Sequence, residues 1–287
     1  MPKWIYETLY PDLKQGFKVK KVLYKSRTEF QDMELVETSR FGRVLVLDGV
    51  VQTTEKDEFI YHEMLTHVPL LTHGNPKKIL LIGAGDGGIL RETLKHPVDE
   101  VVMVEIDRAV VDFSKKYLRP ICKNAFSDKR LKLVIDDGAK FVKKTDEKFD
   151  VVIIDSTDPV GPAKCLFTLG FFKGVSRILL TKGIMARQTG SPWLQSGEFR
   201  NSCRKSETAF KYYEPYMMAT PTYYGGFFSL IIASDGINLS RGKTDFNRIE
   251  KKYKKLKLNT KYYNPEVHYG AFCLPGYVNE IRRKRKK

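Results

Sequence analysis

Acidic side chains follow four successive runs of short, apolar, β-branched sequence. They are Asp86 after residues 79–82, Glu105 after 101–104, Asp136 and Asp137 after 131–135, and Asp155 and Asp158 after 151–154. Runs of this kind are typical of buried parallel strands, whose carboxyl ends meet at one edge of a sheet. We therefore expect the acids to gather at that edge in a pocket that attracts cationic ligands.

The glycine-rich segment 83–88, Gly-Ala-Gly-Asp-Gly-Gly, is a G-x-G-x-x-G turn between a predicted strand and a helix. Such a turn lets a nucleoside approach the backbone closely. Its Asp86 would repel the pyrophosphate of a dinucleotide, so the turn favours a cationic nucleoside over NAD. Glu105, about twenty residues further on, is placed to bind ribose hydroxyls. Asp137 is placed to accept a hydrogen bond from an adenine amino group.

Asp155 and Asp158 lie in a turn that also contains Pro159 and Pro162. One aspartate in such a turn is commonly a helix cap. Two carboxylates held together at the same sheet edge are better explained by chemistry on a substrate, such as accepting a proton or holding an amine.

Two patterns of secondary structure divide the chain. Residues 17–24, 33–37 and 43–47 alternate as in an antiparallel sheet, and Asp48 and Gly49 predict a turn. We expect an N-terminal antiparallel β-domain over residues 1–55 and a catalytic domain with a basic C-terminal tail over 56–287.

The second region begins with helical spacing over residues 56–71, which ends near Pro69. Strand-like runs then alternate with helix-length segments, as in a doubly wound α/β fold. After the four runs named above, further runs cover residues 178–185, 227–233 and 271–274, and the last two are predicted to close an antiparallel edge.

The bulk composition limits the class of protein. The chain has 287 residues and a formal net charge of +16. No apolar run reaches the roughly 18 residues that cross a bilayer, and the N-terminus lacks a signal peptide's apolar stretch, so we expect a cytoplasmic protein. The four cysteines are far apart and are expected to be reduced thiols. Basic residues concentrate in 251–257 and 282–287, which predict a solvated helix face and a frayed end.

Together these residues resemble the spermidine synthase family of polyamine aminopropyltransferases over nearly the whole chain. The family usually has glycine where this chain has Ala84, and a methyl group should be tolerated there if φ is negative. The matching segments are 31–32, 47–55, 57–64, 83–88, 104–107, 155–162, 221–226 and 262–268.

The resemblance implies an S-adenosylmethionine-dependent methyltransferase-like (Rossmann-like) doubly wound sheet with a small N-terminal antiparallel β-domain. It also implies transfer of the aminopropyl group of decarboxylated S-adenosylmethionine to putrescine, giving spermidine and methylthioadenosine. Decarboxylated S-adenosylmethionine is then a co-substrate, and neither a cofactor nor a metal is implied. Small-molecule substrates and a homodimer or homotetramer are the expected partners, without a membrane or nucleic acid.

The resemblance assigns roles to individual residues. Asp155 would accept the proton of the attacking amine, while the diamine would be oriented by Asp158, Tyr61 and Tyr223. His62 and Asp86 would hold the aminopropyl end of the donor. The nucleoside would be bound by Gln31, Glu105, Asp137, Gly138 and Pro162. Further site candidates are Trp4, Gln52, Asp136 and Gln188. Segment 156–167, which includes Cys165, is expected to order over the substrates as a lid.

Two other functions remain open at this point. A diamine methyltransferase of the same sheet architecture would use intact S-adenosylmethionine. A non-catalytic polyamine or nucleic-acid binder would use the basic C-terminal region, but would leave the paired aspartates unexplained. The acceptor could also be cadaverine, agmatine or spermidine if the pocket is longer.

Overall fold

Two β-sheets form the framework of the molecule, which a computed structural model describes over residues 3–159, 161–239 and 245–283. The N-terminal sheet is antiparallel, and its strands pair in chain order. They are β1 Trp4–Tyr6, β2 Gly16–Arg27, β3 Asp32–Thr38, β4 Gly42–Leu47 and β5 Val50–Thr54. The alternation pattern predicts β2, β3 and β4 but not the short outer strands. Asp48 and Gly49 both have positive φ and form the expected tight turn between β4 and β5.

The second sheet has seven strands in the order β11-β12-β10-β9-β6-β7-β8. The strands from β8 to β10 along this order are parallel, and β12 and β11 continue the sheet antiparallel. Their bounds are β6 Lys78–Gly83, β7 Glu100–Glu105, β8 Leu131–Ile135, β9 Phe149–Asp155, β10 Leu179–Gly190, β11 Tyr212–Ala219 and β12 Phe227–Ser234. The predicted Rossmann-like fold with a small N-terminal antiparallel sheet is confirmed.

Helices cover both faces of the second sheet. One core packs α1 and α2 against β6, β7 and β9, and another packs α5 and α6 against the opposite face. The helices are α1 Glu58–His73, α2 Gly88–Thr93, α3 Arg108–Tyr117, α4 Arg119–Cys122, α5 Gly138–Lys144, α6 Leu169–Ile178, α7 Ser196–Ala209, α8 Phe246–Leu256, α9 Pro265–Ala271 and α10 Gly276–Arg283. Within the described ranges, none of these helices has the length and apolar character needed to cross a membrane.

The N-terminal sheet packs on the α/β region through a separate apolar cluster. Met33 and Leu45 of the sheet meet Val110 and Phe113 of α3. This contact brings the loops of the small sheet to the carboxyl edge of the large one. The domain boundary at residue 55 stays a prediction.

Three predictions from the sequence are wrong. Residues 271–274 do not form a strand, since α9 ends at Ala271, and the outer strand is β11 instead. Helix α1 continues past Pro69 to His73, because the helix is buried and its packing outweighs the lost hydrogen bond. Arg282 is not part of a frayed end: its Nη1 is 2.9 Å from Oε2 of Glu214. Residues 284–287 of the basic tail lie outside the described residues.

Candidate active site

The predicted acids come together around one cavity at the carboxyl edge of the seven-stranded sheet. The cavity has a volume of ≈ 480 Å³ and lies where the chain leaves the neighbouring strands β6 and β9 in opposite directions. This switch point is the usual ligand position in open α/β sheets. The described residues that line it include no Lys or Arg. The lining acids are Glu7, Asp48, Asp86, Glu105, Asp137, Asp155 and Asp158.

The glycine-rich turn brings Asp86 close to the end of β9. Gly83 has a φ of 81°, and a Cβ there would collide with the carbonyl oxygen of Asp155, so glycine lets the two strand ends meet. A Cβ on Gly88 would likewise collide with the ring of His62. The expectation for Ala84 is not met: its φ is 67° rather than negative, so the alanine is strained.

Asp86 is held from two sides. Its Oδ1 accepts the N–H of Gly88 at 2.8 Å, and its Oδ2 lies 3.1 Å from Nε2 of His62. Nδ1 of His62 lies 2.5 Å from Oε2 of Glu58, one helical turn earlier in α1. Burial alone would lower the pKa of His62, but Asp86 and Glu58 raise it to about 10. Burial alone would raise the pKa of Asp86, but the His62 cation holds it below its usual value, so Asp86 stays ionised.

Asp155 ends strand β9 in a different environment. Its Oδ1 accepts the O–H of Tyr61 at 2.7 Å. The Tyr61 ring packs edge-on against Tyr223, whose hydroxyl donates to the carbonyl oxygen of Gln52 at 2.9 Å. Burial, followed by the charge of Asp86, raises the pKa of Asp155 to about 6. Asp155 can therefore exchange a proton close to neutral pH.

Two amide side chains fix the turn that follows β9. Oδ1 of Asp158 accepts a hydrogen bond from Nε2 of Gln195 at 2.6 Å, and burial raises the pKa of Asp158. Nε2 of Gln188, on β10, donates to the carbonyl oxygen of Ser156 at 3.2 Å. Both Asp158 and Gln188 line the cavity, so this turn presents a second carboxylate beside Asp155.

Glu105 and Asp107, at the end of β7, connect the cavity to the N-terminal sheet. Oε1 of Glu105 accepts the backbone N–H of Asp107 at 3.0 Å, and burial raises the pKa of Glu105 to about 7. Oδ2 of Asp107 accepts a hydrogen bond from Nε2 of Gln31 at 3.2 Å. Gln31 and Glu105 both line the cavity, and their binding of a nucleoside stays a prediction.

The other predicted site residues are placed differently. Asp137 and Gly138 line the cavity, although Oδ1 of Asp137 already caps α5 by accepting two backbone N–H groups. Asp136 is exposed, Trp4 is 46% exposed on β1, and the described lining of the cavity includes neither residue. Pro162 lies in the short 3₁₀ helix Gly161–Phe167, but its side chain is outside the described part of the chain.

Sequence reasoning misses two glutamates. Glu7 is buried beside the cavity: its Oε1 accepts the N–H of Val51 at 2.7 Å, and its Oε2 has no hydrogen-bond partner among the described residues. Burial, opposed by this bond, raises the pKa of Glu7 to about 7. No motif surrounds Glu7, so the sequence offers no signal for it. Glu58 is different, because its i, i+4 spacing to His62 is a visible signal of contact.

His62, Asp86 and Asp155 each place a possible metal-ligand atom within 4.8 Å of the others. An imidazole binds a metal through a ring nitrogen that carries no proton. Both ring nitrogens of His62 face carboxylate oxygens, so each holds a proton in this arrangement. The donor set therefore does not favour a metal, and the expected lack of a metal or cofactor stays a prediction.

Two family models match the chain. The spermine/spermidine synthase domain matches residues 58–243, and the spermidine synthase tetramerisation domain matches residues 3–55. The polyamine aminopropyltransferase of Serratia proteamaculans (strain 568) is 49% identical over 274 residues, which is 95% of each chain. That of Ruegeria sp. (strain TM1040) is 48% identical over 97% of this chain and 98% of its own.

Solved structures agree with these matches. A spermidine synthase in complex with the transition state analogue AdoDATO superposes with a TM-score of 0.93 at 38% identity. Spermidine synthase from Thermotoga maritima superposes with a TM-score of 0.91 at 37% identity. Each comparison covers 98% of this chain and 96% of the other.

Proposed function

The chain belongs to the spermine/spermidine synthase family, and from that premise we propose that it moves the aminopropyl group of decarboxylated S-adenosylmethionine onto putrescine, giving spermidine and methylthioadenosine. One observation carries the proposal: Asp86 and Asp155 share a cavity whose described lining is rich in acids and has no Lys or Arg. Both substrates are cations, and such a cavity stabilises them together.

Asp155 is the proton acceptor in this reaction. An unprotonated amine nitrogen of putrescine attacks the carbon next to the sulfonium sulfur. A C–N bond forms, the C–S bond breaks with its electron pair going to sulfur, and the amine proton passes to the Asp155 carboxylate. The raised pKa of Asp155, about 6, suits it to this exchange. The hydrogen bond from Tyr61 fixes the orientation of the carboxylate, which contributes to the rate through positioning.

The donor lies along the ends of β6, β7 and β8 in the proposed complex. Asp86, kept ionised by His62, binds the primary ammonium of the aminopropyl group. Glu105 and Gln31 bind the ribose, and the segment of Asp137 and Gly138 binds the adenine. The Asp137 oxygen that does not cap α5 is the acceptor we assign to the adenine amino group.

The diamine lies between Asp155 and the N-terminal sheet in the proposed complex. Tyr223 and Asp158 orient it from the sides. Glu7 is buried in the same cavity, and its Oε2 has no hydrogen-bond partner among the described residues. A desolvated carboxylate of this kind gains most from a cation, so we assign the distal ammonium to Glu7 together with Asp158.

The same acids select the donor. Intact S-adenosylmethionine has a carboxylate on the carbon that bears its amine, and that group would approach Asp86 and Asp155. Repulsion between like charges in a buried cavity disfavours such a complex. A methyltransferase that uses intact S-adenosylmethionine is therefore not favoured by this site.

The protein oligomerises, because its N-terminal sheet matches a tetramerisation domain. We propose a homotetramer, with the homodimer as the smaller alternative. Decarboxylated S-adenosylmethionine is the proposed co-substrate, without a metal or other cofactor, since each step above uses only side chains and the two substrates. The cytoplasmic location stays a prediction.

The test is incubation with decarboxylated S-adenosylmethionine and a panel of amines, with products identified by mass. Spermidine and methylthioadenosine are expected from putrescine, whereas methylated amine and S-adenosylhomocysteine from the intact donor would support a methyltransferase. Asp155→Asn is expected to fold normally and lose nearly all turnover, because the carboxylate no longer accepts the proton. Asp112→Asn, at an exposed aspartate on α3, is the matched control and should keep its activity. Near-normal turnover by Asp155→Asn would remove Asp155 from this role.

A further inference from the structure

A row of alternating charges leads away from the cavity behind Asp86. It runs from Asp86 to His62, then to Glu58, and then to Arg91 on α2. The guanidinium of Arg91 binds Glu58 with two hydrogen bonds, Nη1 to Oε1 at 3.0 Å and Nη2 to Oε2 at 2.9 Å. Paired bonds of this kind fix the plane of a carboxylate as well as its position. All four side chains have low solvent exposure, so water screens these contacts little.

Arg91 cannot easily turn away from Glu58, because two other groups also hold it. Nε of Arg91 lies 2.8 Å from Oε1 of Glu92, and Nη1 donates to the carbonyl oxygen of Ile121 at 2.5 Å. Glu92 is itself held by His67, whose Nε2 is 2.9 Å from Oε2 of Glu92. The end of the row farthest from the cavity is therefore anchored in the interior.

The charge of His62 depends on the groups that face it. These are Glu58 from its own helix, Asp86 from the glycine turn, Asp155 from β9, and Arg91 behind Glu58, with the ring of Tyr61 at its edge. Both ring nitrogens have a carboxylate oxygen within hydrogen-bond distance, so the ring binds both acids only as an imidazolium. Without the Glu58 carboxylate, the imidazolium would lose one of the two anions that its ring nitrogens bind.

We propose that Glu58 and Arg91 are positioning residues for the donor substrate: they hold His62 as a cation, and His62 in turn holds Asp86 ionised and aimed at the aminopropyl ammonium. This inference rests on the function proposed above. Asp86 and Asp155 share one cavity, and their mutual repulsion favours a proton on one of them. The imidazolium relieves that repulsion at Asp86, so Asp86 stays ionised and the raised proton affinity falls on Asp155, the carboxylate that accepts the amine proton.

Steady-state kinetics of Glu58→Gln separates positioning from a structural role. We expect the KM for decarboxylated S-adenosylmethionine to rise about tenfold or more, because glutamine keeps the shape of Glu58 but removes the charge that stabilises the His62 imidazolium. The KM for putrescine should stay within about twofold. In Glu58→Gln, kcat/KM for the donor should also fall as pH rises through the assay range, because His62 loses its proton within that range. In the wild type this fall begins only near the raised pKa of His62, about 10. Arg91→Lys keeps the positive charge behind Glu58, so its KM for the donor should rise less than that of Glu58→Gln.

Glu63→Gln is the matched control. Glu63 is buried on the same helix, and its carboxylate accepts the backbone N–H groups of residues 261–263. This variant should lower the melting temperature without changing the pH profile of the donor. Equal increases in both KM values in Glu58→Gln, or an unchanged donor KM and pH profile, would overturn the inference.

A direct measurement of His62 does not depend on turnover. With histidine labelled with ¹⁵N, and His62 assigned through His62→Gln, the wild-type ring should remain an imidazolium up to about pH 9 and should titrate at lower pH in Glu58→Gln. Titration of wild-type His62 near its ordinary pKa would overturn the inference even if no variant folds. A wild-type protein without turnover on the proposed substrates, but with a charged His62, would instead overturn the proposed function.

Discussion

Two aspartates in one cavity have pKa values that are shifted in opposite directions. The pKa of Asp86 is lowered because the His62 cation outweighs burial, while that of Asp155 is raised to about 6 by burial and by Asp86. Neighbouring titratable groups whose environments separate their pKa values have separable roles. Asp86 keeps its negative charge and is suited to bind a cation, whereas Asp155 is suited to accept and release a proton. The residue types alone would not distinguish them.

Glu7 gives a prediction at the same scale. Glu7→Gln should raise the KM for putrescine about tenfold to a hundredfold, because a hydrogen bond between charged groups contributes roughly 1.5–3 kcal/mol. The KM for the donor should change by less than about twofold, since Glu7 lies on the diamine side of the proposed complex. Steady-state kinetics with each substrate varied in turn is the measurement.

The control for Glu7 is Glu207→Gln, at an exposed glutamate on α7. It makes the same chemical change away from the cavity and should leave both KM values unaltered. If Glu7→Gln and Glu207→Gln have the same kinetics, Glu7 does not contact the diamine.

The acids that follow strands could be predicted from the sequence, and Glu7 could not. Asp86, Glu105 and Asp155 occupy positions where the ends of neighbouring strands must converge, so spacing alone places them together. Glu7 reaches the cavity only because the N-terminal sheet docks on α3, and no local pattern encodes that docking. Trp4 could not be placed from the sequence either: it is exposed on β1 and is not among the described residues that line the cavity.

At the scale of elements, Ala84 makes the glycine turn a source of strain. Its φ of 67° costs a residue with a Cβ roughly 1–2 kcal/mol. Ala84→Gly relieves that strain but loses about 0.8 kcal/mol of methyl burial and about 0.5–1 kcal/mol of chain entropy. The free energy of unfolding should therefore change by less than about 1 kcal/mol. Urea denaturation is the measurement.

The comparison for Ala84 is Ala233→Gly. Ala233 is fully buried in β12 and has no positive φ, so only the two costs apply, and the variant should lose roughly 1–2 kcal/mol. Equal losses in the two variants would show that the turn at Ala84 stores no strain.

Element prediction succeeded where burial imposes one pattern and failed where packing overrides local signals. The fully apolar runs of β6, β7 and β9 are covered on both faces, so their sequences are unambiguous. Strand β11 contains Pro215, which argues against a central strand, but β11 lies at the edge of the sheet, where proline is tolerated. The run 271–274 has only four residues and is only partly buried, so its sequence does not distinguish a strand from the end of a helix.

At the scale of the whole molecule, net charge and site charge have opposite signs. Part of the formal charge of +16 is carried by the basic residues of α8. Partial burial, and then the positive charges of Arg248 and Lys255, lower the pKa of Lys252 on that helix. The cavity instead collects acids from six separate segments of both sheets and their loops. Composition therefore could not predict what binds there, whereas the positions of the acids relative to the strands could.

The outer face of β1 is the place where we expect subunits to meet. β1 is an edge strand, paired only with β2 in the described residues. Trp4 and Tyr6 stack on its outer face, with ring centroids 6.4 Å apart and exposed fractions of 46% and 53%. Exposed aromatic side chains on an edge strand are typical of an interface, and residues 3–55 match a tetramerisation domain.

Replacing Trp4 and Tyr6 together by serine should therefore reduce the assembly to a smaller one, because the apolar area that drives association is removed. Light scattering coupled to size-exclusion chromatography measures the mass directly. Leu180→Ser is the control, since Leu180 is 45% exposed but lies on β10 of the other sheet, and its assembly should be unchanged. A double variant with the wild-type mass at every protein concentration would mean that the subunits associate through another surface, and that β1 has its aromatic pair for a different reason.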